Sequence, residues 1–173
     1  MKHSVHDLIA VHFTRSLVAL KGLLAKARAH AEARKFDENL FLQTRVAPDM
    51  FPFVKQIQIA TDGAKGAAAR LTGKTAPVFA DDETTLAQLI DRIDRTIAFL
   101  QSTSEKDYEG YELRTMAFPW RPGVHMQGFD YLSSHAIPNF YFHMTTAYTL
   151  LRSSGVQIGK NDFLGEQNWV KDA

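Results

Sequence analysis

The sequence predicts an all-α protein, a four-helix bundle with a small β-hairpin inserted between helices three and four. Three observations predict it. Four long segments carry apolar residues at steps of three and four, which places them on one helical face. Pro and Gly punctuate the chain between those segments. One stretch, residues 107–128, loses the helical period and centres on Pro122-Gly123, a turn dipeptide. Four helices that must each bury one stripe pack into a bundle.

Helix one is expected from about Ser4 to Arg34. Ile9, Phe13, Leu17, Leu20, Leu24, Ala27 and Ala31 form its stripe, Ser4 with Asp7 is its N-cap, and His12 lies beside the stripe at the core edge. Its length of about 45 Å suits a bundle. Residues 35–49 connect, with a helical turn at Glu38–Gln43. Helix two is expected from about Asp49 to Leu71. Pro52 falls in its first turn, and Gly73 ends it. Helix three is expected from Glu83 to about Ser102, capped by Asp82. Leu86, Leu89, Ile90, Ile93, Ile97 and Leu100 face inward, while Asp91, Arg92, Asp94 and Arg95 face solvent. Helix four is expected from about Phe129 to Ser153, kinked at Pro138 and closed by Gly155. Its run Phe140-Tyr141-Phe142 implies a helix surrounded on all sides, in the core or in a subunit interface. In the tail, a turn at Gly159–Asp162 precedes Phe163, Leu164 and Trp169, which are expected to dock on the bundle.

Composition narrows the function. The chain has 173 residues, 45% hydrophobic and 23% charged, which is one globular domain over 1–173. It has no Cys, which excludes disulfides, thiolate metal sites and thiol nucleophiles. Lys+Arg is 20 and Asp+Glu is 19, so a general electrostatic grip on nucleic acid is not expected. Residues 131–151 lack Asp, Glu, Lys and Arg and have the length of a bilayer span, yet they carry two Ser, two His, one Asn, three Thr and a Pro. They read as a helix buried in protein, not in lipid. The N-terminus lacks an apolar stretch closed by a cleavage site, so the expectation is a cytoplasmic protein, and a homodimer by the frequency of that state.

Chemistry points to helix four. His3, His6, His30 and His125 lie at ends or in the hairpin and read as solvated or interfacial. His135, Asn139 and His143 stand at i, i+4 and i+8, on nearly one face. His135 and His143 are about 12 Å apart along the axis, too far to share an ion. Asn139 with His143, or His135 with Asn139, is the pair that reaches one metal, with an amide as the poorer ligand. Helix two offers Gln56, Gln58 and Asp62. One reading makes all of these buried groups bonded to each other, or exposed, with Asp62 paired to Lys65 or Arg70. The other turns Asp62 inward against His143 or His135, as a general base. No phosphate-loop, dinucleotide, nucleophile-elbow or zincin motif is present.

The runs APDMFPFVKQIQIATDGAKGAAARLTG (47–73) and PNFYFHMTTAYTLLRSSGVQIGKNDFLG (138–165) resemble a bacterial domain-of-unknown-function family within the DinB/YfiT-like superfamily of metalloenzymes. The resemblance implies a four-helix bundle with a long connection between helices two and three. It also implies a divalent metal held by one His on helix two and a His-x-x-x-His pair on helix four. Some such proteins are thiol-dependent transferases or isomerases, including the mycothiol-dependent maleylpyruvate isomerase and bacillithiol transferases. Here the pair is Asn139 and His143, and Gln56 or Gln58 takes the helix-two position. The expectation is therefore a DinB-like protein with a degenerate metal site. Its central pocket between helices two and four would bind a small molecule through His135, Asn139, His143, Gln58 and Gln56. The alternative is a thiol-transferase-like transferase or hydrolase using His143, with one zinc, nickel or manganese ion on His143 and Asn139. Catalytic candidates are His143 and Asp62.

Overall fold

Helix α1 (His12–Ala33) grows out of a π-helical turn at Asp7–Val11. The Ser4 hydroxyl accepts from the Asp7 N–H at 3.2 Å, and the Asp7 carboxylate accepts from the Ser4 N–H at 3.0 Å, so the expected cap is reciprocal. The structure of the protein is a computed structural model, and it describes residues 3–119 and 121–170. Every residue of the predicted helix-one stripe is buried, and Phe13 stacks on Phe140 with centroids 4.0 Å apart. His12 is exposed and lies off the core edge. Among the described residues, Asp7–Ala33 is one helix long and apolar enough to cross a membrane by length and composition. Here its stripe is covered by the other helices.

A 3-10 turn at Glu38–Gln43 follows, where the sequence places one. Helix α2 (Phe53–Thr72) begins four residues later than expected. Residues 47–50 close a turn, Met50 N–H to Ala47 C=O at 3.0 Å, and Phe53 N–H donates to Thr44 C=O at 2.9 Å, which spends the backbone groups a longer helix would need. Gly73 ends α2 at φ 78°, a conformation other residues adopt at a cost. Ala60, Ala64, Ala67 and Ala68 are buried, and these short side chains let α2 pack closely along the fourth helix.

Helix α3 (Leu86–Gln101) starts at Thr85, not at Asp82. The Thr85 hydroxyl accepts from Gln88 N–H at 3.2 Å, and the Gln88 amide oxygen accepts from Thr85 N–H at 3.0 Å. The inward face is Leu86, Leu89, Ile93, Thr96 and Leu100, with Ile90 and Ile97 at its margin. Arg92, expected in solvent, is 0% exposed.

Two 3-10 turns, Glu105–Tyr108 and Tyr111–Leu113, lead into the hairpin. Strand β1 (Thr115–Ala117) pairs antiparallel with β2 (His125–Gln127), Met116 opposite Met126. Trp120 lies outside the described residues. The chain then runs through Gly128–Asp130 and a π-helical stretch, Tyr131–Ala136, into helix α4 (Ile137–Ser153). The widened stretch ends just before Pro138, whose ring displaces the carbonyl four residues back. The expected kink thus takes the form of a π register change. Helix α4 buries Phe140, His143, Met144, Ala147, Leu150 and Leu151, but Phe142 is 55% exposed, so the helix is not surrounded on every side. Residues expected as a tail turn form a short helix, α5 (Lys160–Leu164), whose Phe163 packs edge-on against Tyr148. Trp169 does not dock; it is 84% exposed.

Candidate functional site between helices two and four

Helix α2 and the Tyr131–Ser153 segment bring the predicted polar residues to one side of the bundle, but they divide into three groups. The first is a pair. His143 and Gln56 are both buried, with the imidazole Nδ1 2.7 Å from Gln56 Oε1. The Gln56 amide nitrogen donates to Phe51 C=O at 2.9 Å, so its oxygen faces the ring. The ring therefore donates through Nδ1–H and keeps its lone pair on Nε2. Burial lowers the His143 pKa, which favours the neutral form.

The second group is a cavity of about 200 Å³ lined by Ile59, Asp62, Gly63, Arg70, Tyr131, His135, Ala136 and Asn139. Small residues make room for it: a Cβ on Gly63 would lie 3.4 Å from the Asn139 amide nitrogen. His135 stacks on Tyr131 with centroids 5.6 Å apart and lies 5.5 Å from Phe118. Burial, reinforced by the nearby Arg70 charge, holds the His135 pKa below its ordinary value. Burial raises the Tyr131 phenol, with Arg70 opposing. Of the predicted pocket residues, His135 and Asn139 line this cavity. Gln56 and His143 bond to each other instead. Gln58 turns away, because residues two apart on a helix do not share a face. It is buried and donates to Glu83 at 2.7 Å, while its Oε1 has no hydrogen-bond partner.

The third group was not predicted. The five N–H donors of buried Arg92 meet five acceptors. They are Thr61 Oγ1 (2.7 Å), Gln58 C=O (3.3 Å), Asp62 Oδ1 (2.7 Å), Asp81 Oδ1 (2.7 Å) and Glu83 Oε1 (2.9 Å). The Phe79 ring covers the guanidinium at 4.7 Å. Asp62 also meets Lys65 at 3.0 Å. Of the two readings of Asp62, the pairing with Lys65 is present and the pairing with a histidine is not, because a permanent buried cation also takes the carboxylate. The available signal was position: Arg92 follows Leu89 by three and precedes Thr96 by four, on the stripe itself.

This cluster has a pH consequence. Burial opposes ionisation of Glu83, but the hydrogen bonds from Arg92 and Gln58 prevail and hold its carboxyl below the ordinary value of 4.5. A carboxyl depressed on folding contributes stability that is complete above the unfolded value and lost as pH falls through the folded one. The urea midpoint is expected to fall steeply below about pH 4, and less steeply in Glu83→Gln.

The implied metal can be tested against the donors present. Among the described residues no three His, Asp or Glu side chains gather as a ligand set. His143 gives its Nδ1 proton to an amide that itself is a weak ligand, and Asn139 is another amide. This donor set does not fit a tightly held divalent ion.

The remaining histidines are peripheral. His6 Nε2 lies 3.1 Å from Thr103 C=O, and His30 meets Phe36 edge-on. Comparison with known proteins agrees with the fold. A family model described as a domain of unknown function (DUF1993) matches residues 5–164. The crystal structure of a DinB family member protein from Shewanella denitrificans, solved at 1.83 Å, aligns with a TM-score of 0.94 at 41% identity, over 97% of this chain and 96% of that one. Comparison with curated proteins finds no match.

Proposed function

Because this chain belongs to the DUF1993 family and has a DinB-like fold, we propose that it binds a small molecule in the cavity between α2 and α4 without a resident metal ion. One observation carries this reading: polar groups from both helices, Asp62, Arg70, His135 and Asn139, converge on a cavity whose other walls include Ile59 and Ala136. Convergent polar groups in an apolar enclosure orient a ligand, since each leaves a buried donor or acceptor unpaired when the wrong ligand enters. The volume, about 200 Å³, is below the roughly 300 Å³ at which drug-sized pockets begin, so the ligand is small.

The alternative is a transferase or hydrolase built on His143, with or without a divalent metal. It is favoured by the tautomer that Gln56 imposes, which leaves Nε2 as a neutral base. The two readings separate in one experiment. Fragments the size of single-ring metabolites are titrated into ¹⁵N-labelled protein. Binding at the cavity is expected to shift the amides of Gly63 and Asn139 and to be lost in Ala136→Phe, which fills the space, while His143→Ala retains it. Binding that survives Ala136→Phe and disappears with His143→Ala would move the site to His143.

A further inference from the structure

The chemistry of the ligand follows from Arg70. Its guanidinium folds back along α2 over Gly66, so closely that a Cβ there would lie 2.6 Å from Nη1. On the other side it lies 5.8 Å from the centroids of both Phe118 and Tyr131. A groove left by glycine and two aromatic rings therefore hold it in place, and none of them cancels its charge. Among the described residues no carboxylate pairs with it. Asp62, the acid in the same cavity, is already committed to Arg92 and Lys65. Arginine does not release its proton, so a half-buried guanidinium without a counter-charge favours an incoming anion.

The space around Arg70 shows what that anion carries. The cavity between α2 and α4 shares one wall, His135, with a second one of about 450 Å³. The second is lined by the hairpin's Val124 and Met126 with Phe118, and by the polar side chains of Arg121 and His125. Where the two adjoin, the side chains are flat rings: Tyr131 stacked on His135, and His135 beside Phe118.

We infer that the ligand is a small organic acid with a flat apolar body, its carboxylate or equivalent acidic group held by Arg70 and its body lying along His135 toward the hairpin. This rests on the reading of the α2/α4 cavity as the binding site. Arg70 supplies the charge recognition, Asn139 a directional amide, and the hairpin sets the length of body accepted.

The test uses benzoate and benzamide, two compounds of one shape that differ in charge, titrated into the full-length protein while backbone amide shifts are recorded. Benzoate is expected to shift the amides of Gly63, Gly66 and Arg70 saturably and to bind at least about tenfold tighter than benzamide. Arg70→Gln is expected to abolish that preference. Gly66→Ala, which keeps the charge but displaces the guanidinium, is expected to weaken benzoate several-fold. Circular dichroism checks the fold of both variants, and if either fails to fold the wild-type contrast decides. Equal binding of the two compounds at these amides overturns the inference while leaving the cavity as a binding site. If benzoate shifts only amides remote from the cavity, the inference is overturned as well. If neither compound nor any fragment moves these amides, the cavity reading falls and takes the inference with it.

Discussion

Arg92→Ala is expected to lower the unfolding free energy by about 3–5 kcal/mol, the cost of breaking a buried ion pair from one side. The side chain is fully buried, so its removal leaves a cavity. More costly still, it leaves the largely buried Glu83 carboxylate without its cation, together with the Thr61 hydroxyl and the Gln58 carbonyl, while the partly exposed Asp62 and Asp81 turn to water. Arg92→Lys is expected to recover only part of the loss, because an ammonium has three donors where five acceptors wait. Burying this cation was itself costly; its organising effect is that it ties α2, α3 and the connection between them to one point. Urea denaturation followed by circular dichroism measures the effect. A loss below about 1 kcal/mol for Arg92→Ala would show that the cluster is solvated and contributes little.

Gly128→Ala is the second large effect. Gly128 opens the segment that follows β2, and it lies hard against the Tyr111–Leu113 turn. A Cβ there would sit 1.8 Å from Tyr111 C=O oxygen, 2.7 Å from Tyr111 C and 3.4 Å from Glu112 Cα. All three contacts are backbone, so no rotamer change relieves them. Either the hairpin or the start of the fourth helix must shift. The expected loss is at the top of the overpacking range, about 3 kcal/mol or more. It should be accompanied by shifted amide signals in Thr115–Ala117 and His125–Gln127. By contrast, a Cβ on Gly22, in the exposed middle of α1, would meet nothing within 4 Å. Gly22→Ala therefore serves as the control that does not destabilise. If Gly128→Ala were equally silent, the close approach of Tyr111 would be wrong.

These two residues also mark what a sequence reveals and what it hides. The apolar stripe of helix one was legible because every member repeats the helical period and only burial explains it. The Gly73 terminus and the Glu38–Gln43 turn were legible because local chemistry decides them. Arg92 was not, although it stands on the stripe. A charge is read as solvated unless its partners are known, and two of its three carboxylates, Asp81 and Glu83, come from the connection before α3. The start of α3 was misplaced for a local reason. Thr85 with Gln88 makes a reciprocal box, and that outweighs the single cap Asp82 offered. The candidate site was half legible. Of the i, i+4, i+8 row on helix four, His135 and Asn139 line the cavity and His143 does not. Gln56 and Gln58 were not separated, although they point in opposite directions from one turn of α2. Arg70 was read only as one partner for Asp62, which pairs instead with Lys65 and Arg92; the rings that place Arg70, Phe118 and Tyr131, lie on other elements.

The central claim is that this DinB-like bundle uses the α2/α4 cavity without a resident metal. The most direct measurement is metal content: untagged protein dialysed against zinc, nickel or manganese, then against metal-free buffer, and analysed for bound ion in wild type and His143→Ala. The account predicts well under one ion per chain in both, since His143 Nε2 stands without a set of three imidazole or carboxylate donors among the described residues. About one retained ion per chain, lost in His143→Ala, would contradict it and place a metal centre on His143.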